Sequence, residues 1–311
     1  MEIVHFPASP RPDWARPVVA LGNFDGVHRG HQRLIEEVRR QAGERHGTPA
    51  AMIFEPHPPR VLRPDKAPPL LMTLDQKLEA FERAGLQGVA IVQFTPELAL
   101  WEPEVFVETV ILDWLRCAEV WVGENFLFGR NRSGTFTLLR ALGDDRGFRV
   151  HSIDPVRYKD FVVSSTRVRH LIGEGRVDEA GALLGHHYFI DGAVVRGDGL
   201  GRQLGFPTAN LETANDLLPA LGIYATVAII GDASYPAVTS IGVRPTVTDN
   251  GRVTIETHLL AGGRDLYGQR LRLAFVKWLR NEERFDGLAP LKAQIARDCA
   301  DAQALFAGMS L

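Results

Sequence analysis

The apolar run Val18–Leu21 passes without a break into Gly22-Asn23-Phe24-Asp25-Gly26-Val27-His28-Arg29-Gly30-His31, and a helix-period stretch with Leu34, Ile35 and Val38 on one face follows at once. A strand that ends on glycine and turns into a helix start leaves unpaired backbone N–H groups and the positive end of the helix dipole at the strand's carboxyl end. Open α/β sheets bind their ligands at that place. His28 and His31, three apart, flank Gly30, whose missing side chain lets an anion approach the backbone while both rings offer N–H donors. Taken singly, each histidine could instead cap the helix or pair on a metal. Strand, glycine, Phe-Asp and HxGH in this order favour phosphate.

The rest of the first half continues the alternation. Ala50 to Phe54, Val89 to Phe94 and Val120 to Val122 read as further buried strands, with helices over His31 to Gln41, Leu74 to Ala84 and Pro103 to Leu115. This predicts a parallel, doubly wound, Rossmann-like α/β sheet. After Gly185 the pattern changes to β-rich segments parted by Gly and Pro: Tyr188 to Val195, Ile223 to Ile230, Ala237 to Ile241, Thr254 to Leu260 and Leu271 to Trp278. A small antiparallel barrel is predicted there, closed by a helix from Leu288 to Leu305 that packs through Leu291, Ile295 and Leu305. The expected domains are therefore residues 1–185 and 186–311, in keeping with a length of 311 residues.

With Lys plus Arg at 35 against Asp plus Glu at 38, the chain has no global positive field to gather nucleic acid or an anionic membrane, so phosphate binding must be local. Cys117 and Cys299 stand alone, outside any zinc spacing, and read as buried thiols. No run approaches the roughly 18 apolar residues of a membrane span, and the proline-rich start is unlike a secretion signal. A cytoplasmic protein that is a monomer or weak homo-oligomer, acting on small molecules and not on nucleic acid or membrane, is expected.

Two loops follow strands in the same manner as the first. Phe54-Glu55-Pro56-His57-Pro58 has prolines that fix an extended exit, and Gly123-Glu124-Asn125-Phe126-Leu127-Phe128-Gly129-Arg130-Asn131-Arg132-Ser133-Gly134 offers Arg130 and Arg132 to anions. Either can reach a nucleotide or its acceptor, or only pack. Ser164-Ser165-Thr166-Arg167 precedes a helix from Arg167 to Glu174, where hydroxyls can cap the helix and hold phosphate at once. In the second half, Gly197-Asp198-Gly199-Leu200-Gly201-Arg202-Gln203-Leu204-Gly205-Phe206-Pro207-Thr208-Ala209-Asn210 suits a flap whose backbone wraps phosphates, with Thr208 and Asn210 as neutral oxygen ligands for magnesium. Alternation on Ile255-Glu256-Thr257-His258-Leu259 places Glu256 and His258 on one face, and a carboxylate on the barrel's interior side would accept a hydroxyl proton.

In order and spacing, GxFDGVHxGH, FxPHP, GxxFxFGxxxxG and SSTxxR resemble the FAD synthetase half of the prokaryotic bifunctional riboflavin kinase/FAD synthetase family. GFPTAN, GxRPT at Gly242 to Thr246, ExHL at Glu256 to Leu259, DLYG at Asp265 to Gly268 and RxExxF at Arg280 to Phe285 resemble its riboflavin kinase half. The resemblance implies a Rossmann-like HxGH nucleotidyltransferase domain followed by a six-stranded antiparallel β-barrel with a C-terminal helix. It implies riboflavin, FMN and ATP as substrates and Mg²⁺ as cofactor, with FMN made in the second domain and FAD in the first. His28, His31 and Glu256 would be catalytic. Gly22, Phe24, Asp25, Gly30, Asn125, Ser164, Ser165, Thr166 and Arg167 would bind the first nucleotide, and Gly199, Gly201, Gly205, Pro207, Thr208 and Asn210 the second, Thr208 and Asn210 also meeting the metal. Pro56, His57, Phe126, Phe128, Arg280, Glu282 and Phe285 would touch flavin. Two departures stand out: Ala261-Gly262-Gly263-Arg264 intervenes where relatives often have Asp-Phe, and Ser240 replaces a frequent Asn.

Overall fold

The computed structural model describes residues 1–197, 199–243, 253–262 and 265–309, except for the side chain of Leu200. The four predicted apolar runs are strands whose buried residues face both sides of one sheet. In chain order the first unit holds β1 (Glu2–Phe6), β2 (Val18–Leu21), α1 (Arg29–Glu44), β3 (Pro49–Glu55), α2 (Pro58–Leu62), α3 (Leu74–Arg83) and β4 (Gly88–Gln93). It continues with α4 (Pro103–Phe106), which runs on as a π-helix over Val107–Trp114, then β5 (Glu119–Gly123) and a short hairpin, β6 (Leu127–Phe128) and β7 (Gly134–Thr135). Last come α5 (Phe136–Arg146), β8 (Arg149–Ile153) and the hairpin of β9 (Arg157–Tyr158) with β10 (Phe161–Val162).

The sheet order is β1-β4-β3-β2-β5-β8, parallel at every pair. Strands β3 and β5 flank β2, so chain order reverses there and the turn after Leu21 leaves the sheet at its switch point. The edge strands β1 and β8 escape the sequence pattern because each buries only one residue, Val4 and Val150, and so lacks an apolar run.

The second unit begins with α6 (Ser165–Gly173) and α7 (Val177–Leu184). Then follow β11 (Tyr188–Val195), α8 (Leu200–Leu204), β12 (Ala209–Thr213), β13 (Gly222–Ile230), β14 (Ala233–Val243), β15 (Val253–Leu259), β16 (Arg270–Arg280) and α9 (Leu288–Ala307). Six strands close an antiparallel barrel in the order β11-β12-β15-β14-β13-β16. Sequence pattern yields five of them; β12 is five residues long and carries the polar Asn210, Glu212 and Thr213. Chain contacts group Met1–Pro69 with Leu74–Ser164, and Leu70–Thr73 with Ser165–Leu311; α6 and α7 fall in the second group, ahead of the expected boundary at Gly185, because α7 packs on β11 and β16, and α6 packs on α7.

Inside the barrel Thr226, Thr239 and Thr257, all buried, join their hydroxyls at 2.7 and 2.9 Å across β13, β14 and β15. Apolar residues on the outer face, among them Val227, Val238 and Val276, pack against Cys299, Ala302 and Phe306 of α9. The closing helix thus buries Asp298, Cys299, Ala302 and Phe306, while the expected Leu291, Ile295 and Leu305 are only partly covered. The smaller residues 299 and 302 allow the closer approach of helix and barrel.

Candidate active sites

In the first unit the turn from β2 into α1 is tightly held. Phe24 and Val27 have φ of 50° and 38°, a left-handed conformation that costs bulky or β-branched residues about 1–3 kcal/mol each and survives only where packing over-determines it. Phe24 is fully buried, meets Phe81 of α3 edge-on at 5.3 Å and lies 5.1 Å from the His31 ring. Asp25 is buried beside it.

His28 is the N-cap of α1: its Nδ1 accepts the His31 backbone N–H at 3.3 Å. That acceptance puts the ring proton of neutral His28 on Nε2. The capping role expected of a lone histidine is therefore real for His28, and it fixes the orientation of the ring. The two imidazoles stack with centroids 3.6 Å apart and planes 14° from parallel. Burial first, then His28 and Lys77, lower the His31 pKa well below that of an ordinary imidazole. Its Nδ1 is buried without a hydrogen-bond partner among the described residues.

A Cβ on Gly30 would lie 3.2 Å from two atoms of the His28 ring, so this glycine makes room for the imidazole. Gly30→Ala should leave thermal stability unchanged or slightly raised, since alanine gains about 1 kcal/mol of helix propensity. FAD formation should fall about tenfold as the ring is displaced by tenths of an ångström, which a coupled pyrophosphate assay reads.

Beside this turn opens a cleft of about 990 Å³ that shares Gly22 and Asn23 with it. Its walls are aromatic, including Phe54, Phe94, Trp101, Phe106, Phe126 and Phe128, with Phe126 and Phe128 stacked at 5.6 Å. Asn125 and Arg132 line it too. Arg130, expected to be available to anions, is instead paired with Glu102 at 2.5 Å. Pro56 and His57 stand at the exit of β3 outside the lining, His57 buried before α2. Ser164 ends the first unit, and Ser165, Thr166 and Arg167 form the first turn of α6 in the second.

In the second unit Thr208 and Glu256 meet: the threonine hydroxyl donates to the carboxylate at 3.2 Å. Asn210 on β12 and Ser240 on β14 are the register partners of Glu256 on either side. Thr257 carries the inward hydroxyl, so Glu256 and His258 face outward, contrary to the expected interior placement. His258 Nδ1 lies 2.9 Å from the Pro207 carbonyl oxygen. The glycine-rich segment folds as α8 between Gly199 and Gly205, which have φ of 73° and 89°. A Cβ on Gly201 would strike the Phe206 carbonyl and approach Thr208, and one on Gly197 would overlap Asn210. Both glycines thus let the segment close on Thr208 and Asn210.

Arg280 is committed to Asp298 of α9 through two hydrogen bonds of 2.8 Å, and it lies 5.9 Å from the Phe285 ring centroid. Glu282 packs against Gly242. Asp198, residues 244–246 of GxRPT, and Gly263 and Arg264 of the intervening loop lie outside the described residues.

Sequence pattern reached Asn125, Phe126 and Phe128 of the cleft but missed Phe94, Trp101 and Phe106, which come from other segments, and it missed Lys77. A signal for Lys77 existed: in the predicted helix it stands four residues before Phe81, on the apolar face.

A family model described as FAD synthetase matches residues 11–167, and one described as riboflavin kinase matches residues 184–306. The chain is 39% identical over 290 residues, 93% of it and 92% of the relative, to the bifunctional riboflavin kinase/FMN adenylyltransferase of Escherichia coli strain K12. It is 38% identical to the Pseudomonas fluorescens enzyme of that name, covering 99% of this chain and 98% of the other, and 33% to that of Bacillus subtilis, covering 96% and 95%. A crystal structure of a Streptococcus pneumoniae protein named as a macrolide-efflux protein matches all of both chains with a TM-score of 0.88 at 26% identity. Among the described residues here, no helix is long and apolar enough to cross a membrane. The family models together with full-length relatives at these identities show that the chain belongs to the bifunctional riboflavin kinase/FMN adenylyltransferase family and carries both activities.

Proposed function

We propose that riboflavin is phosphorylated at Thr208, Asn210 and Glu256, and that the FMN so formed is adenylylated at His28 and His31. The supporting observation is that each unit brings a phosphate-directed backbone together with the side chain its chemistry needs: the stacked imidazoles at the start of α1, and the Thr208–Glu256 hydrogen bond beside α8.

In the kinase step Glu256 accepts the proton of the riboflavin 5′-hydroxyl as that oxygen attacks the γ-phosphorus of ATP, and FMN and ADP result. Thr208 holds the carboxylate in place while Gly199, Gly201, Gly205 and Pro207 shape the phosphate-facing segment. The donor set suits magnesium: Thr208 Oγ1 keeps lone pairs after donating to Glu256, and Asn210 adds an amide oxygen beside it. Bound there, Mg²⁺ would neutralise phosphate charge. Thr208 and Asn210 would hold the ion, with ATP phosphates and water supplying its other ligands. Arg280, Glu282 and Phe285 border the flavin, Arg280 through the backbone and ring it positions.

In the adenylyl step the FMN phosphate, largely a dianion above a pKa of about 6, needs no base and attacks the α-phosphorus. His28 Nε2–H and the His31 ring donate to the α-phosphate oxygens, within the turn formed by Gly22, Phe24, Asp25 and Gly30. Ser164, Ser165, Thr166 and Arg167 hold the departing pyrophosphate. Asn125 meets the nucleotide, and the isoalloxazine lies in the cleft of Phe126 and Phe128, near Pro56 and His57.

The two activities correspond to residues 1–185 and 186–311, in a cytoplasmic monomer or weak homo-oligomer that acts on small molecules and not on nucleic acid; the formal charge of -3 supports the last point. Incubation with riboflavin and Mg-ATP, followed by flavin chromatography, should show FMN and then FAD, and EDTA should stop both. Persistence of FMN formation in EDTA would remove the metal from the reading.

A further inference from the structure

We propose that Lys77 is a positioning residue of the adenylyl-transfer site, its buried ammonium holding the turn that presents Asp25 and the two imidazoles. This rests on the assignment of His28 and His31 to that reaction.

Lysine is almost never fully buried without partners, yet Lys77 is 3% exposed. Its Nζ donates to the Asn23 carbonyl at 2.8 Å. One helical turn further along α3, Phe81 receives Phe24 edge-on. Helix α3 therefore grips two consecutive residues of the β2–α1 turn, Asn23 by a charged hydrogen bond and Phe24 by ring packing. The left-handed backbone at Phe24 and Val27 makes such a grip necessary, because a released turn would relax to commoner dihedrals and take His28 with it.

The charge has a second consequence. Burial lowers the Lys77 pKa from its ordinary value, while the carboxylates of Asp25 in the turn and Glu55 at the end of β3 oppose that fall and hold the proton. Lys77 and His28 in turn add to burial in keeping His31 neutral. These groups, from the turn, β3 and α3, are the charges that bear on the pair. A neutral His31 keeps one N–H donor and does not titrate across the neutral range, so the donor set facing the α-phosphate stays constant.

Lys77→Met retains the stem and removes the charge; Lys77→Arg retains the charge. Lys77→Met should lower kcat for FAD formation about 10²-fold with KM for FMN little changed, the size expected for a displaced donor. FMN formation from riboflavin should keep its wild-type rate. The acid limb of the FAD-forming pH profile should move to higher pH, since His31 loses a cation that opposed its protonation. Lys77→Arg should leave that limb in place.

A Lys77→Met enzyme with an unmoved acid limb and a kcat within about twofold of wild type overturns the proposal, as does a limb that moves equally in both variants. Should Lys77→Met fail to fold, Lys77→Gln takes its place: it offers an amide donor toward the Asn23 carbonyl without the charge, and an unmoved acid limb in that variant overturns the proposal. His28→Ala, assayed alongside, separates the failures. Normal FAD synthesis in that variant removes the site assignment, whereas its loss beside a normal Lys77→Met removes only the role of Lys77.

Discussion

His28→Ala should lower FAD formation from FMN and ATP about 10³-fold while FMN formation from riboflavin continues at its normal rate. Removal of one preorganised donor to a developing oxyanion costs about 10²–10³ in rate. Here the same ring also caps α1, and the loss of a cap costs about 1 kcal/mol of stability and frees the first turn that carries His31. The stacked geometry is lost as well, because the ring that lies parallel to His31 at 3.6 Å is the one removed. Both effects fall on the first unit, so the kinase reaction serves as the internal control. The measurement is the two initial rates on one preparation, with thermal unfolding to show that the variant is folded. Equal loss of both activities in a folded protein, or undiminished FAD synthesis, would contradict the assignment.

Glu256→Gln gives the reciprocal result: FMN formation falls about 10³-fold and adenylylation of supplied FMN is unchanged. Glutamine preserves the shape and an oxygen to accept the Thr208 hydroxyl, so the Thr208–256 contact and the strand register with Asn210 and Ser240 should survive. What is lost is the group that takes the hydroxyl proton. The fall should therefore appear in kcat, with KM for ATP little affected. A kinase rate within about twofold of wild type would show that Glu256 only orients Thr208.

The two expected results differ in how much of their basis is legible in the chain. The turn after β2 was readable because its chemistry is local: a buried strand, a glycine, two histidines and a helix start lie within fourteen residues from Val18 to His31. Likewise the parallel sheet followed from apolar runs buried on both faces, whereas β1 and β8, each with one buried residue, left no such trace. Alternation correctly grouped Glu256 with His258 and apart from Thr257, but it could not say which face looks inward. That was settled by the hydroxyl ladder of Thr226, Thr239 and Thr257, whose partners come from three strands. Arg280 illustrates the same limit, since nothing near it in sequence shows that Asp298 claims its guanidinium.

By itself, then, the sequence determined the fold class and picked out the segments proposed to bear the phosphate chemistry, because period and short-range spacing are properties of neighbouring residues. Only the tertiary structure decided which side chains serve those segments: that His28 commits Nδ1 to the helix and leaves the ring proton to Nε2, that Gly30 leaves room for the ring, and that Lys77, 54 residues from Asn23, donates to that residue's carbonyl. Such contacts join residues remote along the chain, and their energies depend on burial and distance, which exist only once the chain is folded.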